Sequence, residues 1–483
     1  MKATKNFYSL WIKTLTGLGV ASLLHLSVPG TAFADTDEFS RLVTQSDYRA
    51  RYQNRIEQEL LRWQGTQADP KLFESVRMLF NLSPRNPKMR QALNHMIASM
   101  KFNKGQIQDE ELYYYKLLNL EPTNAQYRQK LADLLYRKHG SHSAADIKNA
   151  YRVLNDAFDT WDAGQYDQAL RLFKQAALPQ SPELIALYAT HLRDRARIGE
   201  ARQVLENFKG QRTYLGWLDG IERQIVSAQK LLLSNLPEND RIPAWLTLGQ
   251  WQNAESAIHR LPEGAIKHWY QAKLLEKQGK YHAAGKEYQH YYHQQWSNEL
   301  KGFVPVVYKA QLEDINSLDL IALKFRTSTE LIRKVNQQWP HDWVETYRML
   351  VIPVAKHDFT WPTTGYVSSH YGYRLHPIRA TWKLHEGIDI ETDPGVQAIA
   401  PQAGTVVQAG FDQACGNMIR LQHVEPSLRT VFCHGSKLLV SKGAHVDSGK
   451  AVLVTGNTGA SASNHLHFGV QINGVFTDPM DWL

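Results

Sequence analysis

The sequence predicts a multidomain chain in three folded parts: an α-helical repeat region over 35–300, a small strand-helix-helix-strand module over 301–355, and an antiparallel all-β domain over 356–483. Three observations carry this. Over 38–300 apolar residues recur at three- and four-residue spacing without long alternating runs, the signature of helices with one buried stripe. Around Phe303 the pattern switches to a β-rich run. From Trp361 onward, short β-branched runs alternate with glycines at regular intervals, at 405–407, 418–421, 429–432, 451–454 and 466–472, which predicts antiparallel strands. A chain of 483 residues also exceeds what one core ordinarily organises.

Ahead of these parts, residues 1–34 have the plan of a secretory leader. Lys2, Lys5 and Lys13 precede an apolar stretch over 15–28, and Ala32-Phe33-Ala34 forms an A-x-A cleavage site. The competing reading is a membrane anchor, but Gly17, Gly19 and His25 interrupt the stretch, which is shorter than the roughly 20 residues a span needs. No cysteine lies near the cleavage point, so no lipid anchor is expected, and no later segment is apolar enough to span a bilayer. The formal net charge is +8, three of it in the leader. The basic remainder suits attraction to anionic envelope polymers, and export excludes a nucleic-acid role.

Within the helical region a phrase recurs. Gly164-x-Tyr166-x-x-Ala169, Gly249-x-Trp251-x-x-Ala254 and Gly279-x-Tyr281-x-x-Ala284 share it, and Ala196-Arg197-Ile198-Gly199-Glu200-Ala201 is a weaker copy. The glycine ends one helix, while the aromatic and the alanine let the next pack closely against it. With spacings near the roughly 34-residue period of helix-pair arrays, and with Leu118-Asn119-Leu120-Glu121-Pro122 as a junction, the region resembles tetratricopeptide repeats. An ordinary helical bundle with core aromatics is the alternative.

In the module, a strand over 303–308, helices over 318–325 and 327–335, and a strand over 349–353 are predicted, with Thr327 and Glu330 as a capping box. This order, with Ile321, Ala322, Phe325, Leu331, Asn336 and the ending Leu350-Val351-Ile352-Pro353, resembles a LysM domain, which implies glycan binding; a structural spacer is the other reading. The usual Gly-Asp-Thr turn is absent, Gln311-Leu312-Glu313-Asp314 standing in its place.

Nine of the 20 histidines fall between His357 and His467. The first motif there is His385-Glu386-Gly387-Ile388-Asp389-Ile390. Read as a strand, it sends 385, 387 and 389 to one side, so His385 and Asp389 converge over an open Gly387. The second is His465-Leu466-His467-Phe468, whose histidines share a face while the apolar residues turn inward. Two imidazoles and a carboxylate with a fourth position left to water match a catalytic zinc site.

Together with Gly365-Tyr366-Val367-Ser368-Ser369, Gly372-x-Arg374, Gly404-Thr405-Val406, Gly416-Asn417, Gly456-x-Thr458-Gly459 and Asp478-Pro479, these motifs make the stretch from Trp361 to Trp482 resemble the lysostaphin-type (LytM-like) zinc metallopeptidases. The resemblance implies one zinc ion per chain held by His385, Asp389 and His467, with His434 and His465 assisting proton transfer from off the metal. It implies hydrolysis of peptide cross-links in bacterial peptidoglycan, in the periplasm, by an exported, wall-associated enzyme. Two other readings stand beside it: a metal-free regulator of other wall hydrolases, which would lack the five site residues present here, and a helical region that recruits a protein partner or covers the cleft.

The chain departs from that family pattern at both of its cysteines, Cys415 and Cys433, the latter within Phe432-Cys433-His434-Gly435. An oxidising compartment makes a disulfide the default for such a pair. In the competing reading Cys433 binds zinc, although strand alternation turns it away from the side taken by His434. His370, His376 and His423 read as hydrogen-bonded or surface residues, and Arg374 as a loop brace.

Overall fold

The computed structural model describes residues 36–63, 69–100, 107–138, 144–176, 182–207, 215–314, 317–337, 344–345, 347–376 and 381–483. The leader expected over 1–34 lies outside them, as do the side chains of Arg374 and His376. No helix among the described residues is long and apolar enough to cross a membrane.

Helices fill the first part, from Thr36–Thr44 to Tyr281–Gln295. The recurrent phrase marks four helix hairpins. Gly164, Ala196, Gly249 and Gly279 all take left-handed backbone, at φ of 76°, 58°, 70° and 80°. In each turn the next amide reaches back five residues, as in Gln165 N–H to the Thr160 carbonyl and Lys280 N–H to the Leu275 carbonyl. That is the Schellman ending, which satisfies carbonyls the finished helix leaves open. The following helix starts at Tyr166, Ile198, Trp251 or Tyr281, and Ala169, Ala201, Ala254 and Ala284 are each fully buried in the helix contact. The first hairpin also touches the fourth: Trp161 Nε1 donates to the Lys277 carbonyl and the Tyr166 hydroxyl to that of Gln278. The array therefore folds back on itself instead of contacting sequential neighbours only.

Among the described residues fifteen strands follow. β1 (Phe303–Lys309) and β2 (Met349–Ala355) pair antiparallel over seven residues, and the helices Leu318–Lys324 and Thr329–Asn336 lie between them in sequence. The second helix is capped by Ser328, whose hydroxyl accepts from Leu331 N–H. The capping box expected at Thr327 and Glu330 does not form, because the Thr327 hydroxyl is buried and donates to the Pro353 carbonyl of β2. Asn336 completes the unit by bonding both the amide and the carbonyl of Val351.

Next come β3 (Tyr366–Ser369), β4 (Gly372–His376), β5 (Thr381–His385), β6 (Ile388–Glu391), β7 (Gln397–Ile399), β8 (Gly404–Asp412) and β9 (Gly416–His423). β10 (Leu428–Gly435), β11 (Lys437–Leu438), β12 (His445–Val446), β13 (Ala451–Val454), β14 (His465–Ile472) and β15 (Val475–Thr477) complete the set. Ten of these form one sheet in the order β12-β8-β9-β10-β14-β6-β3-β1-β2, with β15 beside β14. The sheet runs without a break from the module into the last part, since β1 pairs parallel with β3 through Val307–Tyr366 and Tyr308–Val367.

The cores follow the sheet. One apolar cluster joins Val306, Ile321, Phe325, Ile352 and Val354 of the module to Ile388, Ile390, Leu466 and Phe468. Another joins the opposite module face, Val307, Leu331, Val335 and Val351, to Phe80, Leu93, Tyr288 and Tyr291 of the helices. A buried cation ties the three parts together. Arg326, fully buried, donates from Nη2 to Asp478 at 2.8 Å, from Nε to Asp481 at 2.9 Å and from Nη1 to Asn119 at 2.8 Å, while Arg90 reaches Asp481 from the helices. Breaking a buried pair leaves a charge without its partner and costs about 3–5 kcal/mol. Arg326→Ala is accordingly expected to lower the urea midpoint of the full chain by a corresponding amount, and Arg326→Lys, which cannot fork to both carboxylates, by less. An unchanged midpoint for Arg326→Ala would show that this cluster does not join the parts.

Candidate metal centre

β14 sits between β6 and β10, and its alternation decides what faces where. Leu466 and Phe468 are fully buried in the core, so His465 and His467 take the other side. Across the ladder His467 stands opposite Asp389. His385 arrives differently from the continuous strand that the sequence suggested: β5 ends at His385, the chain kinks at Glu386 and Gly387, and β6 begins at Ile388. The kink passes so close to β14 that a Cβ at Gly387 would lie 2.3 Å from the Phe468 carbonyl oxygen and 2.9 Å from His467 Cε1. His385 belongs to the two-stranded β4–β5 ribbon, which is separate from the large sheet, so this imidazole comes from a different element than Asp389 and His467.

The result is a triangle of ligand atoms. His385 Nε2 lies 3.1 Å from Asp389 Oδ1 and 3.1 Å from His467 Nδ1, and His467 Nδ1 lies 2.9 Å from Asp389 Oδ1. Three ligands bound at about 2.0–2.1 Å in tetrahedral geometry stand about 3.3 Å apart, so the triangle fits a zinc-sized ion with little adjustment. The tautomer fits as well. His385 Nδ1 donates to the His370 carbonyl at 2.8 Å, which leaves the lone pair on Nε2. Burial raises the Asp389 pKa, but the imidazoles of His385 and His467 outweigh it and hold the carboxyl well below its usual range.

Two more imidazoles flank the triangle. The ring centroid of His434 is 4.7 Å from that of His465 and 6.0 Å from that of His467, and His465 Nε2 is 3.8 Å from Asp389 Oδ1. Each has Nδ1 against a carbonyl, His434 on Thr458 at 2.8 Å and His465 on Ser463 at 3.0 Å. With Nδ1–H donated in this way, each ring leaves its Nε2 free of that carbonyl. Burial, then the facing His465, pushes His434 down to about 4, so it is neutral at neutral pH.

His434 owes its place to a bulge. The β9–β10 register shifts between Phe432 and Gly435, and His434 takes a φ of 66° while its amide donates to the Cys415 carbonyl at 2.7 Å. The turn carrying Cys415 is held by Asp412, whose carboxylate accepts from the amides of Ala414 and Cys415. Gly416 and Gly459 bring that turn against the 456–460 loop: a Cβ on Gly416 would lie 2.3 Å from Thr458 Oγ1, and one on Gly459 2.3 Å from Gly416 N. Cys415 and Cys433 form a disulfide with Cα atoms 4.8 Å apart, in a small cluster with Met418, Val431 and Phe476, so Cys433 takes no part in the triangle.

Of the other conspicuous histidines, His370 is buried with its ring on the Lys324 and Tyr371 carbonyls, and His423 bonds Thr430 and the Ala403 carbonyl. The groups that sequence reasoning missed are the carbonyls of His370, Thr458 and Ser463, which set the three ring orientations. Only Thr458 had a signal, inside the Gly456-x-Thr458-Gly459 motif.

Residues 383–479 match the model of Peptidase family M23. A DD-carboxypeptidase/endopeptidase, Mpg, of Neisseria meningitidis serogroup B is 34% identical over 114 residues, 24% of this chain and 26% of its own length. The peptidoglycan DD-endopeptidase ShyC of Vibrio cholerae is 31% identical over 114 residues, 23% of this chain and 26% of its own. The chain thus spans about a quarter of the length of these curated relatives. Among solved structures, the catalytic domain of the antimicrobial peptidase lysostaphin from Staphylococcus simulans is 30% identical, covering 24% of this chain and 88% of that one at a TM-score of 0.22.

The disulfide closes a loop with a sequence separation of 18, worth about 3 kcal/mol in the chain-entropy model. The Cys415→Ser/Cys433→Ser variant should lose stability of that order. Hydrogen exchange at the His434 amide should rise more than at Leu466 in β14, and equal protection at both sites would mean that the bulge holds itself.

Proposed function

We propose that this chain is an exported zinc metalloendopeptidase that hydrolyses peptide cross-links of bacterial peptidoglycan in the periplasm. The observation that carries the reading is the triangle of His385, Asp389 and His467, with His434 and His465 beside it. The relative named a peptidoglycan DD-endopeptidase supports the substrate class, and the leader-like residues 1–34 support export. In the same reading the module over 301–355 is LysM-like and the helices over 35–300 are tetratricopeptide-like, giving wall contact and a surface for a protein partner.

His385 Nε2, Asp389 Oδ1 and His467 Nδ1 would hold one zinc ion. When bound, zinc lowers the pKa of its water toward 7 and polarises the scissile carbonyl. The chain's own residues do the rest. Nε2 of His434 or His465, unprotonated when the ring is neutral, takes the proton of the attacking water, and the imidazolium so formed donates to the oxyanion or to the departing amine. The carbonyls of Thr458 and Ser463 keep both Nε2 atoms turned inward during that exchange.

The test separates ligand from catalyst. His385→Ala, Asp389→Ala and His467→Ala should each lose zinc and wall-cutting activity together, since two protein ligands hold the ion far less well than three. His434→Ala and His465→Ala should keep near-stoichiometric zinc and lose on the order of 10²-fold or more in rate on purified sacculi. Wild-type protein free of zinc and inert on sacculi would overturn the reading in favour of a regulator. Loss of zinc from His434→Ala would redraw the ligand set alone.

A further inference from the structure

A second cluster of metal-ligating side chains lies in the last helix hairpin, outside the site described above. Among the described residues, two groups of His, Cys, Asp and Glu place all their ligand atoms within 4.8 Å of one another: His385, Asp389 and His467, and also His268, Glu287 and His290. The second group has the same composition, two imidazoles and one carboxylate. His268 is on the helix Ala265–Lys277; Glu287 and His290 are on the helix Tyr281–Gln295, which returns antiparallel to it. Residues three apart share a helix face, so Glu287 and His290 point together at the partner helix, where His268 meets them. The same Glu-x-x-His spacing supplies metal ligands from single helices in four-helix bundles.

The contacts resemble those of the first triangle. His268 Nδ1 lies 2.6 Å from Glu287 Oε2, and the rings of His268 and His290 meet edge to face with centroids 5.2 Å apart. An interhelical hydrogen bond joins His268 and Glu287, while His290 meets the pair only through its ring contact with His268. A bound cation would engage all three, taking the place of the contact between the imidazole and the carboxylate. Side-chain exposures of 20% for His268 and 27% for Glu287, with His290 exposed, leave a water-accessible position for entry and for a remaining solvent ligand.

We propose that His268, Glu287 and His290 form a second metal site, taking a divalent transition ion of the zinc type, that staples this hairpin. Imidazole with carboxylate suits zinc and its neighbours over magnesium or calcium, which prefer oxygen throughout. The stapled helix also rests on the sheet. Tyr281 and His282 contact the Tyr366 ring of β3, Lys286 pairs with Asp393 just after β6 at 2.6 Å, and the Tyr291 hydroxyl donates to the Val335 carbonyl at 2.7 Å. An ion here would fix the helix pair that supports the β3–β6 pair within the sheet.

The experiment is a zinc titration of the metal-stripped full chain, followed by competition with a chromophoric chelator and by metal analysis after dialysis. Wild type, His290→Ala, Glu287→Gln, His467→Ala and the His290→Ala/His467→Ala double variant are compared. His290 is exposed, so its replacement leaves the fold intact, and circular dichroism checks this. Two zinc equivalents are expected in wild type and one in either His variant, with none in the double variant. Glu287→Gln should weaken the hairpin site about tenfold or more, as loss of its only anionic ligand requires. A His467→Ala protein that binds no zinc, or binds it equally well with and without His290, overturns the proposal. A wild type whose single equivalent disappears with His290 but not with His467 sinks the first site and keeps this one, so the two failures are distinguishable.

Discussion

The register of β14 between β6 and β10 is the constraint on which the rest of the site depends. His467 lies opposite Asp389 because Leu466 pairs with Ile390 and Phe468 with Ile388, all four apolar side chains being buried in one core. A slip by one residue would turn Leu466 and Phe468 to the cleft and both histidines into the core. Burying two imidazoles there without partners would add to the apolar area lost, so the packing that stabilises the strand also selects the chemistry on its other face. Asp389 and His467 are thus fixed by hydrophobic burial on the other face of their strands, and only His385 comes from a separate ribbon.

The sheet that sets this register does not end where the histidines end. β3 pairs with β6 on one side and with β1 of the module on the other, so the module supplies a hydrogen-bonded neighbour to a strand that would otherwise be an edge. The module's two faces then bury different things, the β core on one side and the helices on the other. Buried ion clusters lie along the same path. Besides Arg326, the pair Arg193 and Asp194 at the end of the helix Pro182–Asp194 meets Lys277, Glu345 and Arg348 in a network where each charge has an opposite partner. Such networks add little net stability over apolar packing, but they penalise any arrangement that separates the partners. They therefore favour one mutual placement of helices, module and β part.

What was legible in the sequence was local. The Gly-x-aromatic-x-x-Ala phrase located three turns and its weaker copy at Ala196 a fourth, because left-handed backbone, a Schellman ending and a small helix contact are all encoded within six residues. His465-Leu466-His467-Phe468 was legible because strand alternation alone assigns its two faces. The break between His385 and Asp389 was not: Gly387 is demanded by the approach of Phe468, 81 positions later in the chain. The bulge at His434 was hidden for the same reason, since it answers to a turn at Cys415 and a loop at Thr458. Ser328 took the cap because Thr327 was drawn into a buried bond with β2, and nothing near Thr327 encodes Pro353. The carbonyls that orient the rings of His385, His434 and His465 belong to the backbone and leave no side-chain signature.

The two histidine-carboxylate clusters show why composition alone does not decide what a site can do. In the β part, His385 and His434 are buried, Asp389 is held ionised by the rings around it, and further imidazoles face the same cleft with their lone pairs turned inward. Low local dielectric strengthens each of those interactions, and fixed ring orientations avoid reorganisation when charge develops. In the hairpin, His290 faces water, the carboxylate is partly exposed, and neither His434 nor His465 has a counterpart in the cluster. The same three residue types can hold an ion there, but nothing in the cluster excludes solvent or relays a proton. Burial and the second pair of imidazoles, more than the ligand set, separate the centre proposed to react from the one proposed to tie two helices together.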